Sequence, residues 1–419
     1  MFKSKPRTQF IAGIDLGSST IRAAVGQVDY DRGQADFNLL GVVEAASEGV
    51  RRGVVVSIED TVSVISSCLE QLEHLIGLPI ESCWVGVNSG QIICQENKGV
   101  VSVAKADGEI TEDDIERVVE SARTLTPPLN YEMMHTITRS YAVDNQTGIK
   151  DPVGMTGIRL EVDAQIIHGP VSHLNNISKA VYRTGVDIDD MVLSILPAAN
   201  VVTTARQRDL GVAVVNIGSS ITSLAVYENG DLFRVATLPI GSEHITNDLA
   251  IGLRTSIDIA EQVKIHYGQC VADPISRKEK IDLGNIGAES SEEVSRHYIA
   301  EIVEARVSEI LEKINAELMA VGRAGMLPAG VIFTGGGSKI FGLIDLAKSV
   351  LKLPASLGYP VDMVSSTEKI NDLSFATAIG LVKWGAAMKP IDRKKKNKQF
   401  TVINSSLKKA AGWLKTLVP

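Results

Sequence analysis

The chain has 419 residues, 44% of them apolar and 22% charged, which is room for two to four domains with real cores. No apolar run approaches the roughly 18 residues of a spanning helix, and Met1 to Thr8 is polar and basic with no leader core, so the expectation is a soluble, folded protein. Charge is unevenly placed: Ile391 to Pro419 holds eight Lys or Arg and one Asp, a net of +7 inside a whole-chain net of −8, leaving about −15 on the body. An acidic body argues against broad nucleic-acid binding, while a short basic tail suits an anionic surface. The cysteines Cys68, Cys83, Cys94 and Cys270 are scattered without metal-ligand spacing, as inert thiols of a reducing cytosol are.

In chain order, the first feature is the turn Ile14-Asp15-Leu16-Gly17-Ser18-Ser19, flanked by apolar strands, which reads as a β-hairpin with a small-residue tip. Val62, Ile65, Leu69, Leu72, Leu75 and Ile76 then keep helical spacing over Ile58 to Ile76, opened by Ser57 and closed by Gly77 and Pro79. From Trp84 the texture changes to short strands, a helix opened by Thr111-x-x-Asp114 and a Pro127-Pro128 break, a compact insert of about 85 residues. A strand over Ile158 to Ile167, a helix over Val171 to Gly185 and a strand over Met191 to Leu196 follow.

The first turn then returns 201 residues later as Val215-Asn216-Ile217-Gly218-Ser219-Ser220. Helices are expected at Glu243 to Leu253, Ile257 to Tyr267 and His297 to Met319. Gly330 to Thr334 reads as a buried strand entering Gly335-Gly336-Gly337-Ser338, with a helix over Ile340 to Val350 behind it. Two glycine-serine tips facing each other offer converging backbone N–H groups and hydroxyls, which is what a polyphosphate between two halves of a protein needs. Neither G-x-x-x-x-G-K-[ST] nor G-x-G-x-x-G occurs, so the P-loop and dinucleotide folds are unsupported. The pattern is a duplicated α/β protein with its ligand in the cleft between halves.

At the end, Ile403, Leu407, Ala410, Ala411, Leu414, Leu417 and Val418 form one stripe at helical spacing, with Trp413 at its edge and Lys408, Lys409 and Lys415 opposite. Arg393 to Lys396 and Lys398 precede it, after Pro390. This reads as an amphipathic helix lying on an anionic lipid surface, the alternative being a terminal helix docked on the protein's own core.

Three glycine turns in the order hairpin, hairpin, strand-glycine-helix resemble the phosphate and adenosine motifs of the actin, Hsp70 and sugar-kinase superfamily. Tyr141-Ala-Val-Asp144, Asp151-Pro-Val-Gly-Met155, Pro239-Ile-Gly241-x-x-His244-Ile-Thr-Asn247-Asp248 and Phe375-Ala-Thr-Ala-Ile-Gly380 narrow the resemblance to the FtsA family, actin-like proteins of bacterial cell division. The similarity runs through about 380 residues and the tail.

It implies a duplicated actin-like, ribonuclease H-like fold with subdomain 1A over 1–82, 167–197 and 372–389, an inserted subdomain 1C over 83–166, 2A over 198–240 and 301–371, and 2B over 241–300. A basic linker over 390–402 and a membrane-targeting helix over 403–419 complete it. The implied function is an ATP-binding protein that polymerises at the cytoplasmic face of the cell membrane, at the division site. There it tethers the tubulin-like FtsZ, whose C-terminal tail is received at 2B. A pilus-assembly scaffold or a small-molecule kinase of the same fold are the alternatives.

On this resemblance the β- and γ-phosphates of ATP lie against Gly17 to Thr20 and Gly218 to Ile221, with Ser18, Ser19, Ser219 and Ser220 as hydroxyl donors. Gly335, Gly336, Gly337 and Ser338 lie against the α-phosphate and ribose. Glu261 and Lys264 flank the adenosine, or else form an i,i+3 surface ion pair. Asp15 faces Mg²⁺ through the ion's water shell; its plain alternative is capping its own turn. Arg306 is the candidate contact for the FtsZ tail, against an exposed pair with Glu309. The chain departs from the family at Asn216, where an Asp is usual; Asn cannot accept a proton, so we expect at most weak ATP hydrolysis.

Overall fold

The computed structural model describes residues 7–31, 34–288, 291–361 and 363–388, and the expected linker and membrane-targeting helix lie outside these residues. Its elements, in chain order, begin with β1 (Arg7–Leu16), β2 (Thr20–Asp31), β3 (Gln34–Ala46), β4 (Val50–Arg51), β5 (Val54–Val55), α1 (Ile58–Ile76) and β6 (Ser82–Val87). Next come β7 (Ile93–Ser102), α2 (Glu112–Arg123), β8 (Tyr131–Val143), β9 (Gln146–Ile149), β10 (Arg159–Pro170), α3 (Val171–Tyr182), β11 (Asp187–Leu193), α4 (Ile195–Val202) and α5 (Ala205–Leu210). The second half holds β12 (Val212–Ile217), β13 (Thr222–Glu228), β14 (Asp231–Leu238), α6 (Ser242–Leu253), α7 (Ile257–Tyr267), β15 (Lys280–Asp282) and β16 (Glu293–Ser295). It ends with α8 (Arg296–Ala320), β17 (Val331–Thr334), α9 (Leu343–Leu351), β18 (Ala355–Leu357), β19 (Val364–Ser365) and α10 (Ala376–Met388).

The sequence repeat is a repeat of sheet topology. The first lobe carries the order β11-β6-β1-β2-β3-β19 and the second the order β18-β17-β12-β13-β14. In each, an antiparallel hairpin (β1 with β2; β12 with β13) is followed by a parallel strand beside its first arm (β6; β17). Asp15 is paired with Arg22 across the first hairpin and Asn216 with Ser223 across the second, so both tips leave their sheets at the same point.

The local elements form for reasons visible in their residues. In α1, the Ser57 hydroxyl accepts the Asp60 N–H at 3.4 Å, Gly77 closes the helix at φ 69°, and Ile65, Cys68, Leu69 and Leu72 bury one face. In α2, the Asp114 carboxylate accepts the Thr111 N–H at 2.9 Å and its hydroxyl at 2.7 Å. Burial alone would raise the Asp114 carboxyl, yet these bonds, with those from Arg117 and the Ala104 N–H, hold it down at about 2.

The sheet of the insert has the order β7-β10-β8-β9 and is covered on one face by α2, with Val118, Ala122, Leu160, Val162 and Ile166 at its core. The expected start of the insert at residue 83 falls inside β6, which pairs with β1 and β11 in the first lobe. Among the element ends that differ from expectation, the helix expected to reach Gly185 stops at Tyr182 and the strand expected to stop at Ile167 runs to Pro170, and two more have a clear cause. The strand expected to reach Leu196 stops at Leu193, and Ile195 and Leu196 begin α4 after Ser194, because a run this rich in apolar residues carries no period to separate strand from buried helix. The helix expected from Ile340 begins at Leu343, after a 3-10 turn over Gly336–Lys339.

The lobes meet over a shared core. Residues of the first lobe (Ile11, Trp84, Val192), of the second (Val214, Ala225, Ile332) and of the two crossing helices α4 and α10 (Ala199, Ile379) pack in one cluster. Gly380 permits this crossing: a Cβ there would lie 2.2 Å from the Pro197 carbonyl oxygen. The two tips are therefore carried by separate sheets hinged on one helix pair, with a cleft between them.

Candidate functional site: the cleft between the lobes

That cleft has a volume of about 550 Å³, and its walls include Asp15, Gly17, Ser18, Ser19 and Thr20 from the first tip and Asn216, Gly218, Ser219, Ser220 and Ile221 from the second. Gly335, Gly336 and Gly337 form its floor, and Glu261 and Lys264 of α7 stand at its side. Fourteen of the fifteen residues expected from sequence thus share one cleft. Ser338 is the exception: it is buried behind the glycines and its hydroxyl donates to the Thr334 carbonyl at 2.5 Å.

Asp15 is the penultimate residue of β1, where its carboxylate accepts the Ser194 hydroxyl at 3.2 Å. Burial pushes it up to about 6, against the pull of Arg22 and of the Ser194 bond. Its carboxyl therefore ionises close to neutrality, in a cleft that also presents Arg22, Lys264 and Lys339. On the same tip, the Ser18 hydroxyl accepts the Gly53 N–H at 2.8 Å. Gly53 lies in the two-residue turn between β4 and β5, where both Arg52 and Gly53 have positive φ, and a Cβ on Gly53 would strike the Asn88 carbonyl oxygen at 2.1 Å.

The second tip is built differently. Asn216 spans to α10, its Nδ2 donating to the Thr377 hydroxyl at 3.1 Å. The Ser220 hydroxyl donates to Glu243 at 2.5 Å and that of Ser219 at 3.4 Å. The expectation that these two hydroxyls donate to a ligand is met by a competitor within the protein. Two carbonyls of this tip are fixed too, since the first N–H groups of α6 reach back, Ser242 to the Gly218 oxygen at 2.9 Å and Glu243 to that of Ser219 at 2.8 Å. The lobes are linked directly where the Ser223 hydroxyl donates to Asn88 Oδ1 at 3.0 Å.

Glu261 and Lys264 do form the i,i+3 pair, at 2.6 Å, but within the cleft rather than on an outer surface: the Lys264 side chain is only 10% exposed. The Thr246 hydroxyl completes the cluster, 2.6 Å from the Glu261 carboxylate and 2.9 Å from the Lys264 ammonium. Gly336 is the open part of the floor. The nearest atom to a Cβ built there is Ser374 Cβ at 3.9 Å, so backbone can approach a ligand without obstruction.

Sequence reasoning missed Arg22, Gly53, Asn88, Ser194, Lys339, Ser374 and Thr377 on the walls. Only Arg22 had a signal, because hairpin register sets it opposite Asp15. Lys339 directly follows the glycine turn, and the rest arrive from positions remote in the chain.

A second concavity, about 340 Å³, lies between α6 and α8. Ile251 (78% exposed), Tyr298 (45% exposed), Ile302 and Ala305 make it apolar, and Arg306 stands on its rim. The Arg306 guanidinium grips Asp248 with two bonds, at 2.5 and 2.9 Å, and also meets Glu309, so the anticipated pair with Glu309 is one part of a larger cluster.

Two lobes of matching topology, hinged on a helix pair around a cleft floored by a glycine turn, define the actin-like ATPase fold. Solved structures share it: the PilM-PilN type IV pilus biogenesis complex matches with TM-score 0.66 at 15% identity over 91% of this chain and 99% of that one. MreB5 of Spiroplasma citri bound to ADP matches with TM-score 0.53 at 12% identity, over 89% and 94%. At such identities the likeness is one of fold alone.

The family pattern of cell division protein FtsA matches residues 213–380, and that of the SHS2 domain inserted in FtsA matches residues 89–168. Cell division protein FtsA of Pseudomonas aeruginosa is 34% identical over 377 residues, 90% of this chain and 89% of its own length. That of Bacillus subtilis is 34% identical over 376 residues, 90% and 83%. The chain belongs to the FtsA family of cell division proteins.

Proposed function

We propose that this protein binds Mg²⁺-ATP in the cleft, assembles with copies of itself, and ties the tubulin-like FtsZ to the cytoplasmic face of the cell membrane at the division site. The observation that carries the reading is the convergence of two glycine-serine tips and the Gly335 turn on one cleft of ligand size. The residues there suit the group. The tips and Gly336 supply backbone for phosphate oxygens, Arg22, Lys264 and Lys339 supply cations, and Asp15 supplies the oxygen a hydrated Mg²⁺ takes. Bound there, Mg²⁺-ATP would supply the polyphosphate charge that the tip N–H groups and the cations of this cleft are placed to meet. Asn216 offers no carboxylate to accept a proton from an attacking water, so hydrolysis is weak or absent.

The membrane part of the reading rests on residue pattern. Leu407, Trp413, Leu414, Leu417 and Val418 enter the headgroup boundary while Lys408, Lys409 and Lys415 meet anionic lipid, each basic residue adding about 1 kcal/mol. One such helix gives reversible attachment; a filament carrying many gains by effective concentration. No helix among the described residues is long and apolar enough to cross a membrane. Flotation with anionic vesicles is expected for the full chain and lost for a chain stopped at Pro390; equal flotation of both removes the membrane claim.

The groove between α6 and α8 suits a peptide with apolar and acidic groups, as proposed for the FtsZ tail, with Arg306 as its cationic contact. Because Arg306 already neutralises Asp248 and Glu309, Arg306→Ala leaves two carboxylates facing the peptide as well as removing a cation. A peptide titration is expected to show about tenfold weaker binding, the size of losing one charge-assisted contact. An unchanged titration clears this groove of the role.

A further inference from the structure

Glu243 is placed where a site built to hold a terminal phosphate should have no carboxylate. It sits in the first turn of α6, with its backbone N–H on the Ser219 carbonyl and its side chain on both tip hydroxyls, Ser220 at 2.5 Å and Ser219 at 3.4 Å. An ionised carboxylate only accepts, so each serine must spend its single O–H on Glu243. What remains of those hydroxyls is oxygen lone pairs, and Ser219 and Ser220 both line the cleft. Lone pairs repel phosphate oxygens.

The first tip shows the contrast. Ser18 is held as an acceptor, by the Gly53 N–H at 2.8 Å, which leaves its proton free to be donated. The sequence gives both tips the same Gly-Ser-Ser, and the partners give them opposite polarity.

We infer that Glu243 sets the balance between nucleoside triphosphate and nucleoside diphosphate in this cleft, by holding the second tip's hydroxyls away from the terminal phosphate. This rests on the nucleotide reading of the cleft and specifies it further: the second tip offers the last phosphate backbone N–H groups without hydroxyls, backed by a negative charge. The triphosphate thereby loses most of the advantage its extra charge would confer, and the diphosphate, with one phosphate fewer to meet this tip, is affected less. Glu243 is not among the residues that line the cleft; it is a positioning residue acting through Ser219 and Ser220.

The test is equilibrium titration of the full chain with ATP and with ADP, each with Mg²⁺, comparing the unmodified protein with Glu243→Gln. Glutamine removes the charge and puts an N–H donor within reach of the serine oxygens, which releases their hydroxyl protons toward the cleft. ATP is expected to tighten about five- to tenfold and ADP less than twofold, the scale of one or two hydrogen bonds to a charged group. Ser220→Ala gives a second arm that preserves Glu243. In that background most of the gain from Glu243→Gln disappears, because the better-placed hydroxyl is no longer there to turn.

A Glu243→Gln variant that gains ATP binding where the unmodified chain shows little supports the inference in its strongest form. Binding by the unmodified chain with an unchanged ATP to ADP ratio in Glu243→Gln overturns the inference and leaves the nucleotide reading standing. No binding by any of the three proteins overturns both.

Discussion

The two hairpin tips share a sequence, a strand register and a wall of the same cleft, yet they differ in every side-chain partner. The first carries an ionisable Asp15 opposite Arg22 and a serine whose hydroxyl accepts from backbone. The second carries a neutral Asn216 tied to Thr377 and serines that donate to Glu243. Duplication preserved what hairpin geometry enforces, the backbone path and its exposed N–H groups, and released what depends on neighbours. One tip is suited to a cation and the other to being held still.

The largest effect is expected where the first tip is made like the second. Asp15→Asn should weaken Mg²⁺-ATP binding about 10- to 100-fold, as losing the one anionic contact to a hydrated dication in a buried cleft does. The pH dependence separates this from general damage. Because Asp15 ionises at about 6, well above the ordinary carboxylate range, unmodified protein should lose Mg²⁺-dependent affinity as pH falls through 6, while Asp15→Asn stays flat.

Without nucleotide the sign reverses. A carboxyl whose folded value is raised binds protons that the unfolded chain releases, so its contribution to stability declines as pH rises toward and through 6. Asp15→Asn should therefore melt about 2–4 °C higher than the unmodified chain at pH 7.5, with the gap closing near pH 4. A variant that melts lower at every pH would show that Asp15 is held by its partners rather than strained by burial.

The reverse exchange restores a carboxylate to the second tip. Asn216→Asp keeps the shape, reverses the bond so that the Thr377 hydroxyl donates where it now accepts, and supplies a group able to take a proton from water. Phosphate release is expected to rise about tenfold over a slow unmodified chain, a fraction of what a well-placed base contributes. Actin-like turnover in the unmodified chain would show that Asn216 is no impediment.

How much of this could be read in the sequence follows the same division. The repeat, the hairpins, α1, α6, α7 and α8 were legible because periodicity, caps and turn residues act over a few positions. The cleft itself was legible because three glycine turns mark it. Glu243, Thr377, Ser194 and Asn88 were not, since their roles come from strands and helices brought together across 24 to 179 positions. Ser338 was misjudged for a related reason: a serine after three glycines looks like a donor, and only the fold shows its hydroxyl satisfied by the Thr334 carbonyl.

The smallest effect is a paired comparison of serines. Ser18→Ala removes the acceptor of the Gly53 N–H, a backbone group pinned in a turn whose glycine abuts Asn88 and Ile221. A partly buried N–H left without a partner costs about 1–2 kcal/mol, and the cost falls on the loop that helps the first lobe face the second. Ser219→Ala removes only a long, 3.4 Å bond to a carboxylate that keeps Ser220, and should cost about 0.5 kcal/mol or less. Thermal unfolding without nucleotide is therefore expected to place Ser18→Ala a few degrees below Ser219→Ala. Equal melting points would mean that the Gly53 turn holds its position without the first tip, and that the two tips differ in ligand chemistry but not in structural duty.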